Sequence, residues 1–231
     1  MKTIGLIGGM SWESSIEYYR IINETAKEKL GGLHSAKSLM VTVDFAEIEK
    51  LQHEDRWDEA AQILVKCAQD LEHGGADFIV LCTNTMHKVA DQIIANTNIP
   101  FLHIADATAE KVQAAGIKRI GLLGTRFTME HDFYKGRLIH NFGLDVFTPE
   151  KEDREIVHRI IYEELVLGKI LESSREEYKR IIQALIQNGA QGIILGCTEI
   201  ELLVKRSDSS VPLFPTSLIH AVSAFEKALE S

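Results

Sequence analysis

Apolar positions along the chain follow two alternating patterns. Short runs rich in Val, Ile and Leu, apolar on both faces, occur at 3–7, 39–43, 78–82, 100–104, 120–123, 144–147, 193–195 and 212–214. Runs that short, without polar alternation, mark most of these segments as central strands of a parallel sheet. Between them the apolar spacing becomes helical. Trp57, Ala61, Leu64, Ala68 and Leu71 form one helical face, closed by Gly74-Gly75, and Tyr178, Ile181, Ile182 and Leu185 form another, closed by Gly189. Strands alternating with helices predict an α/β fold of mainly parallel sheets flanked by helices.

The pattern repeats. Ile4-Gly5-Leu6-Ile7-Gly8 recurs 116 residues later as Ile120-Gly121-Leu122-Leu123-Gly124, and the run Gly75–Asn84 recurs 114 residues later as Gly189–Thr198. Ile99-Pro100-Phe101 likewise matches Val211-Pro212-Leu213. Two anchors at nearly one offset predict a duplicated unit. The expected division is 1–98 plus 213–231 for one α/β domain and 99–212 for the other, the two being pseudo-symmetric. Ligands of such sheets bind beyond the carboxyl ends of the strands. Segments 8–11, 83–85, 124–128 and 197–199 are therefore expected to line a cleft between the halves.

Composition narrows the partners. Apolar residues make up 45% of the 231 and charged residues 26%, enough for a sizeable core. A formal charge of −9, with Lys and Arg scattered, argues against nucleic acid, which needs a basic face. No apolar stretch approaches the roughly 18–20 residues of a membrane span, and MKTIGLIGGM does not resemble a secretory leader, so the cytoplasm is the expected location. Cys67, Cys82 and Cys197 form no CxxC pair and should be free thiols there.

Each strand-end segment precedes a helix, where unpaired backbone N–H groups suit a carboxylate. Ser11, Asn84, Thr85, Thr125 and Thr198 supply either helix caps or ligand contacts. Gly5-Leu6-Ile7-Gly8-Gly9 lacks GxGxxG spacing and no P-loop lysine follows, so a nucleotide is not supported. Metal-ligand spacing is also missing among the dispersed histidines. Cys197 follows a buried strand, where a helix N-terminus would lower its pKa and favour the thiolate. Cys67 lies inside an amphipathic helix and reads as structural. Cys82 aligns with Gly196 and Thr83 with Cys197, so Cys82 reads as backing behind the strand. His87, one turn beyond Thr83, could approach the cleft, whereas His103 and His220 read as polar filler. Gln52, Arg56, Arg126, Glu163, Glu164 and Lys169 are all candidates for a substrate carboxylate or ammonium, and spacing does not choose among them.

These residues resemble the aspartate/glutamate racemase family. The resemblance rests on IGLIGGMSWES at the N-terminus, Val43-Asp44-Phe45-Ala46-Glu47-Ile48, Thr83–His87, Ile120–Thr125 and Gly196–Ile200, and spans nearly the whole chain. It implies two pseudo-symmetric α/β domains, no pyridoxal phosphate, no metal, and a small amino acid as substrate, with a homodimer as candidate assembly. It also implies two cysteines on opposite faces of the substrate α-carbon. Here Cys197 keeps the second, and Thr83 stands where the first would be, in a motif that reads Cys-Asn-Thr-Ala-His in the family. Glu199 replaces the histidine of glutamate racemases. By the resemblance, Asn84, Thr85 and Thr198 bind the α-carboxylate and ammonium, and Ser11, Gln52 and Thr125 make side-chain or carboxylate contacts; beside these, Met10 is a candidate substrate contact, and Cys82, His87, Glu199 and Lys169 are candidate auxiliary residues. The implied activity is racemisation of aspartate or glutamate, Cys197 removing the α-proton of the L enantiomer. A one-cysteine diacid decarboxylase or cis–trans isomerase and a non-catalytic amino-acid-binding module are the alternatives.

Overall fold

All eight apolar runs become strands in the computed structural model, which describes residues 1–230. The first sheet holds β1 (Ile4–Gly8), β2 (Ser38–Thr42), β3 (Phe78–Leu81) and β4 (Phe101–Leu102) in the order β2-β1-β3-β4. The second holds β5 (Arg119–Gly124), β6 (Asp145–Phe147), β7 (Gly192–Gly196) and β8 (Leu213–Pro215) in the order β6-β5-β7-β8. Every pairing is parallel. The same order in both sheets is the structural form of the sequence repeat.

Two expectations change. Most of the runs were expected as central strands, yet four of the eight, β2, β4, β6 and β8, lie at sheet edges, and β2 and β6 hold no fully buried residue. An apolar run of that length does not say which strands end a sheet. The domain boundaries also move. Phe101 pairs with Ile79 of β3, which keeps β4 in the first sheet, and Leu213 pairs with Ile193 of β7, which keeps β8 in the second. The chain divides into one unit of 1–104 with 220–231 and another of 105–219.

Alternation along the strands sorts the first unit into two layers. Ile7, Ile79 and Leu81 pack with Leu64 and Leu71 of the helix Trp57–His73. Ile4, Leu6, Phe78, Val80 and Cys82 face the other way, onto Tyr18 of Trp12–Leu30 and Phe225 of Thr216–Leu229. In the second unit Leu123, Ile193 and Leu195 meet Ile160, Tyr178 and Ile181. Each such side chain contributes about 1.5–3 kcal/mol when buried. Matched glycines admit the helices: a Cβ on Gly5 would lie 3.4 Å from that of Leu71, and one on Gly121 3.1 Å from Leu185 Cδ1. Among the described residues, no helix is long and apolar enough to cross a membrane.

Candidate active site

In the first unit the chain turns sharply beyond β1. Gly9 has φ +92°, and a Cβ there would meet the Val43 carbonyl oxygen at 2.2 Å, so only glycine fits. Its N–H donates to Ser15 Oγ (2.7 Å). Met10 is buried in the core behind this turn, and the Met10–Ser11 peptide is cis. Ser11 is an N-cap, its Oγ accepting from Ser14 N–H (3.4 Å). Gln52, also buried, donates its amide to Met86 Sδ (2.9 Å).

Beyond β3, Thr83, Asn84 and Thr85 are all buried. Cys82 sits fully buried in the opposite apolar layer, as the alignment predicts, and burial pushes its thiol far above the ordinary range. His87 departs from expectation. Ile104 N–H points at its Nε2 (3.2 Å), so the ring hydrogen is on Nδ1 and donates to the Thr83 carbonyl (2.7 Å). With both ring nitrogens engaged by backbone, His87 fixes the Thr83 segment and does not offer itself for proton transfer. It lies edge-on to His103 and His220, ring centroids 4.5 and 5.9 Å away. His220 is bonded on both sides too, at Nδ1 by the Tyr18 hydroxyl (2.8 Å) and at Nε2 to the Leu102 carbonyl (2.9 Å).

In the second unit, Thr125 caps the helix Arg126–Glu130, its Oγ1 accepting from Thr128 N–H (3.3 Å). Cys197 follows β7, and its thiol donates to Glu199 Oε2 (3.0 Å), both residues being buried. Thr198 between them is half-buried. Burial first, and then the charge and hydrogen bond of Glu199, push the Cys197 thiol well above its ordinary range. The resting group is therefore a thiol, which corrects the expected thiolate. The helix that was to stabilise an anion, Ile200–Leu203, is only four residues long, too short for a strong dipole. Tyr178 is raised by burial and, further, by the acidic groups Cys197, Glu164 and Glu199.

Several candidates are committed elsewhere. Arg56 is held between Glu54 and Glu59 (2.5 and 2.6 Å). Glu164 takes Arg159 at 3.1 Å and the Ser174 hydroxyl, and Glu163 lies 3.9 Å from Arg159. Lys169 is exposed on the turn after Gly168, its backbone N–H donating to the Glu164 carbonyl (2.9 Å). The sequence named Glu199 as auxiliary but missed it as the partner of Cys197. The i, i+2 spacing of a thiol and a carboxylate was the available signal. No cluster of three or more His, Cys, Asp or Glu that could hold a metal occurs among the described residues.

The Asp/Glu/hydantoin racemase family matches residues 7–225. A Yersinia pestis protein, described as a candidate Asp/Glu racemase, is 59% identical with TM-score 0.94 and full coverage of both chains. An aspartate racemase homologue from Pyrococcus horikoshii OT3 is 36% identical with TM-score 0.86, again over both whole chains. The broad specificity amino-acid racemase of Bacillus subtilis (strain 168) is 26% identical over 173 residues, 72% of this chain and 71% of its own.

Proposed function

The chain belongs to the Asp/Glu/hydantoin racemase family, and from that premise we propose that it racemises a small acidic amino acid, aspartate or glutamate, without pyridoxal phosphate or metal. Cys197 takes the α-proton of the L enantiomer. The observation that carries this reading is the buried Cys197 thiol donating to the buried Glu199 carboxylate at 3.0 Å. A thiol is not the base, so its proton must first leave, and Glu199 is placed to accept it. Glu199 becomes the carboxylic acid, Cys197 the thiolate, and the thiolate then takes the α-proton of the substrate. Thr83 of the first unit, directly or through a water, supports reprotonation of the other face. Asn84, Thr85 and Thr198 hold the α-carboxylate and ammonium, with Met10, Ser11, Gln52 and Thr125 as further contacts. The proposed setting is the cytoplasm, where the free thiols Cys67, Cys82 and Cys197 stay reduced.

This mechanism is lopsided. A threonine hydroxyl is a far weaker acid than a thiol and no ready base near neutrality. The α-proton of L-aspartate or L-glutamate is expected to exchange with deuterium oxide much faster than that of the D form, followed by NMR. Thr83→Cys should raise D-substrate exchange, and Thr83→Ala should slow inversion while sparing L exchange. Equal exchange of both enantiomers by the unmodified protein would defeat the single-base account. Carbon dioxide release would instead show a decarboxylase, and tight binding without exchange a binding module.

A further inference from the structure

An acidic substrate carries a second carboxylate, and none of the strand-end hydroxyls and amides above has the charge to recognise it. The arginines single out a group that does. Each of the other nine has a carboxylate against its guanidinium or, for Arg206, the carbonyl oxygens of Ser209 and Val211. Arg126 has neither among the described residues. Arg126 is exposed, and its guanidinium lies 5.7 Å from the Phe127 ring centroid.

The backbone beneath it is firmly held. Arg126 directly follows Thr125, the capping residue of a strand-end segment. Its N–H donates to His158 Nδ1 (3.2 Å), and buried Phe127 packs edge-on between His131 and His158, at 5.6 and 6.2 Å. An anchored main chain bearing an uncommitted guanidinium is suited to capturing a carboxylate, because the planar fork makes two parallel charge-assisted bonds. Lys169, the other open cation among the candidates drawn from the sequence, is a point charge on an exposed turn outside any strand-end segment.

We propose that Arg126 is the specificity-determining residue that binds the side-chain carboxylate of the substrate, a role that rests on the racemase reading above. It acts on recognition and leaves the proton transfer at Cys197 alone. Arg126→Gln should raise KM for L-aspartate or L-glutamate by about 10- to 100-fold, the scale of a lost charge-assisted pair, with kcat nearly unchanged. Arg126→Lys should recover part of that loss. Exchange of the α-proton of L-glutamine, which lacks the second charge, should not weaken in either variant.

The measurement is α-proton exchange in deuterium oxide over a range of substrate concentrations, with circular dichroism to show that each variant is folded. An unchanged KM in Arg126→Gln would overturn the proposal while leaving the racemase reading intact. A fall in kcat without a rise in KM would overturn it too, by placing Arg126 in the chemistry. If the unmodified protein exchanges no amino acid, the racemase reading itself fails, and the assignment of Arg126 with it.

Discussion

The charge state of Cys197 decides how this site would start its reaction. A buried thiol facing a carboxylate resists ionisation, and the same carboxylate can accept its proton. Two measurements on Glu199→Gln should therefore move in opposite directions. Removing the negative charge lowers the thiol pKa, so alkylation of Cys197 by iodoacetamide should begin at lower pH than in the unmodified protein. L-substrate exchange near pH 7 should nevertheless fall, by about 10²-fold or more, because a positioned proton acceptor is gone. If exchange is unaffected, Glu199 does not take the proton. Cys82 gives the contrast: Cys82→Ala should cost about 1–2 kcal/mol in denaturant stability and spare exchange, since that thiol faces the apolar layer away from Thr83. The parity of Cys82 was legible because alternation along a strand is a local property. The sequence misjudged the thiolate because burial and the reach of Glu199 exist only in the folded chain.

At the scale of elements, local pattern served well wherever the cause was itself local. The runs at 78–82 and 193–195 are strands because apolar side chains at consecutive positions satisfy both faces of an inner strand. Edge placement of β2 and β6 depends on which strands pair, which no single run encodes. Gly9 is a sharper instance. Its place after β1 was legible, but the requirement for glycine comes from Val43, thirty-four residues on, whose carbonyl oxygen occupies the space of a side chain. Gly9→Ala combines that clash with an unfavourable positive φ and should cost about 2 kcal/mol or more, read as a lower denaturation midpoint. Its effect on exchange should exceed that of the stability loss, since the turn carries Met10 and Ser11. A variant as stable as the parent would mean that the turn has an equally good second conformation.

For the whole molecule, the repeat gave the architecture, and its matching strand orders follow from it. The seams were harder to read. β4 and β8 are two and three residues long, and membership in one sheet or the other rests on pairings, not on composition. Their true positions leave the second unit continuous, 105–219, while the first is split into 1–104 and 220–231. Since a ribosome delivers the chain from its N-terminus, the second unit is complete before the first. Until residues 220–230 emerge, Ile4, Leu6 and Tyr18 lack the cover of Ala221, Ala224, Phe225 and Ala228. Growing chains should thus hold an exposed apolar face on residues 1–104, the kind of surface that chaperones engage. A chain ended at residue 219 should give a protease-resistant fragment from 105–219, with the earlier portion cut first. Equal resistance of both would show that the first unit closes without its final helix.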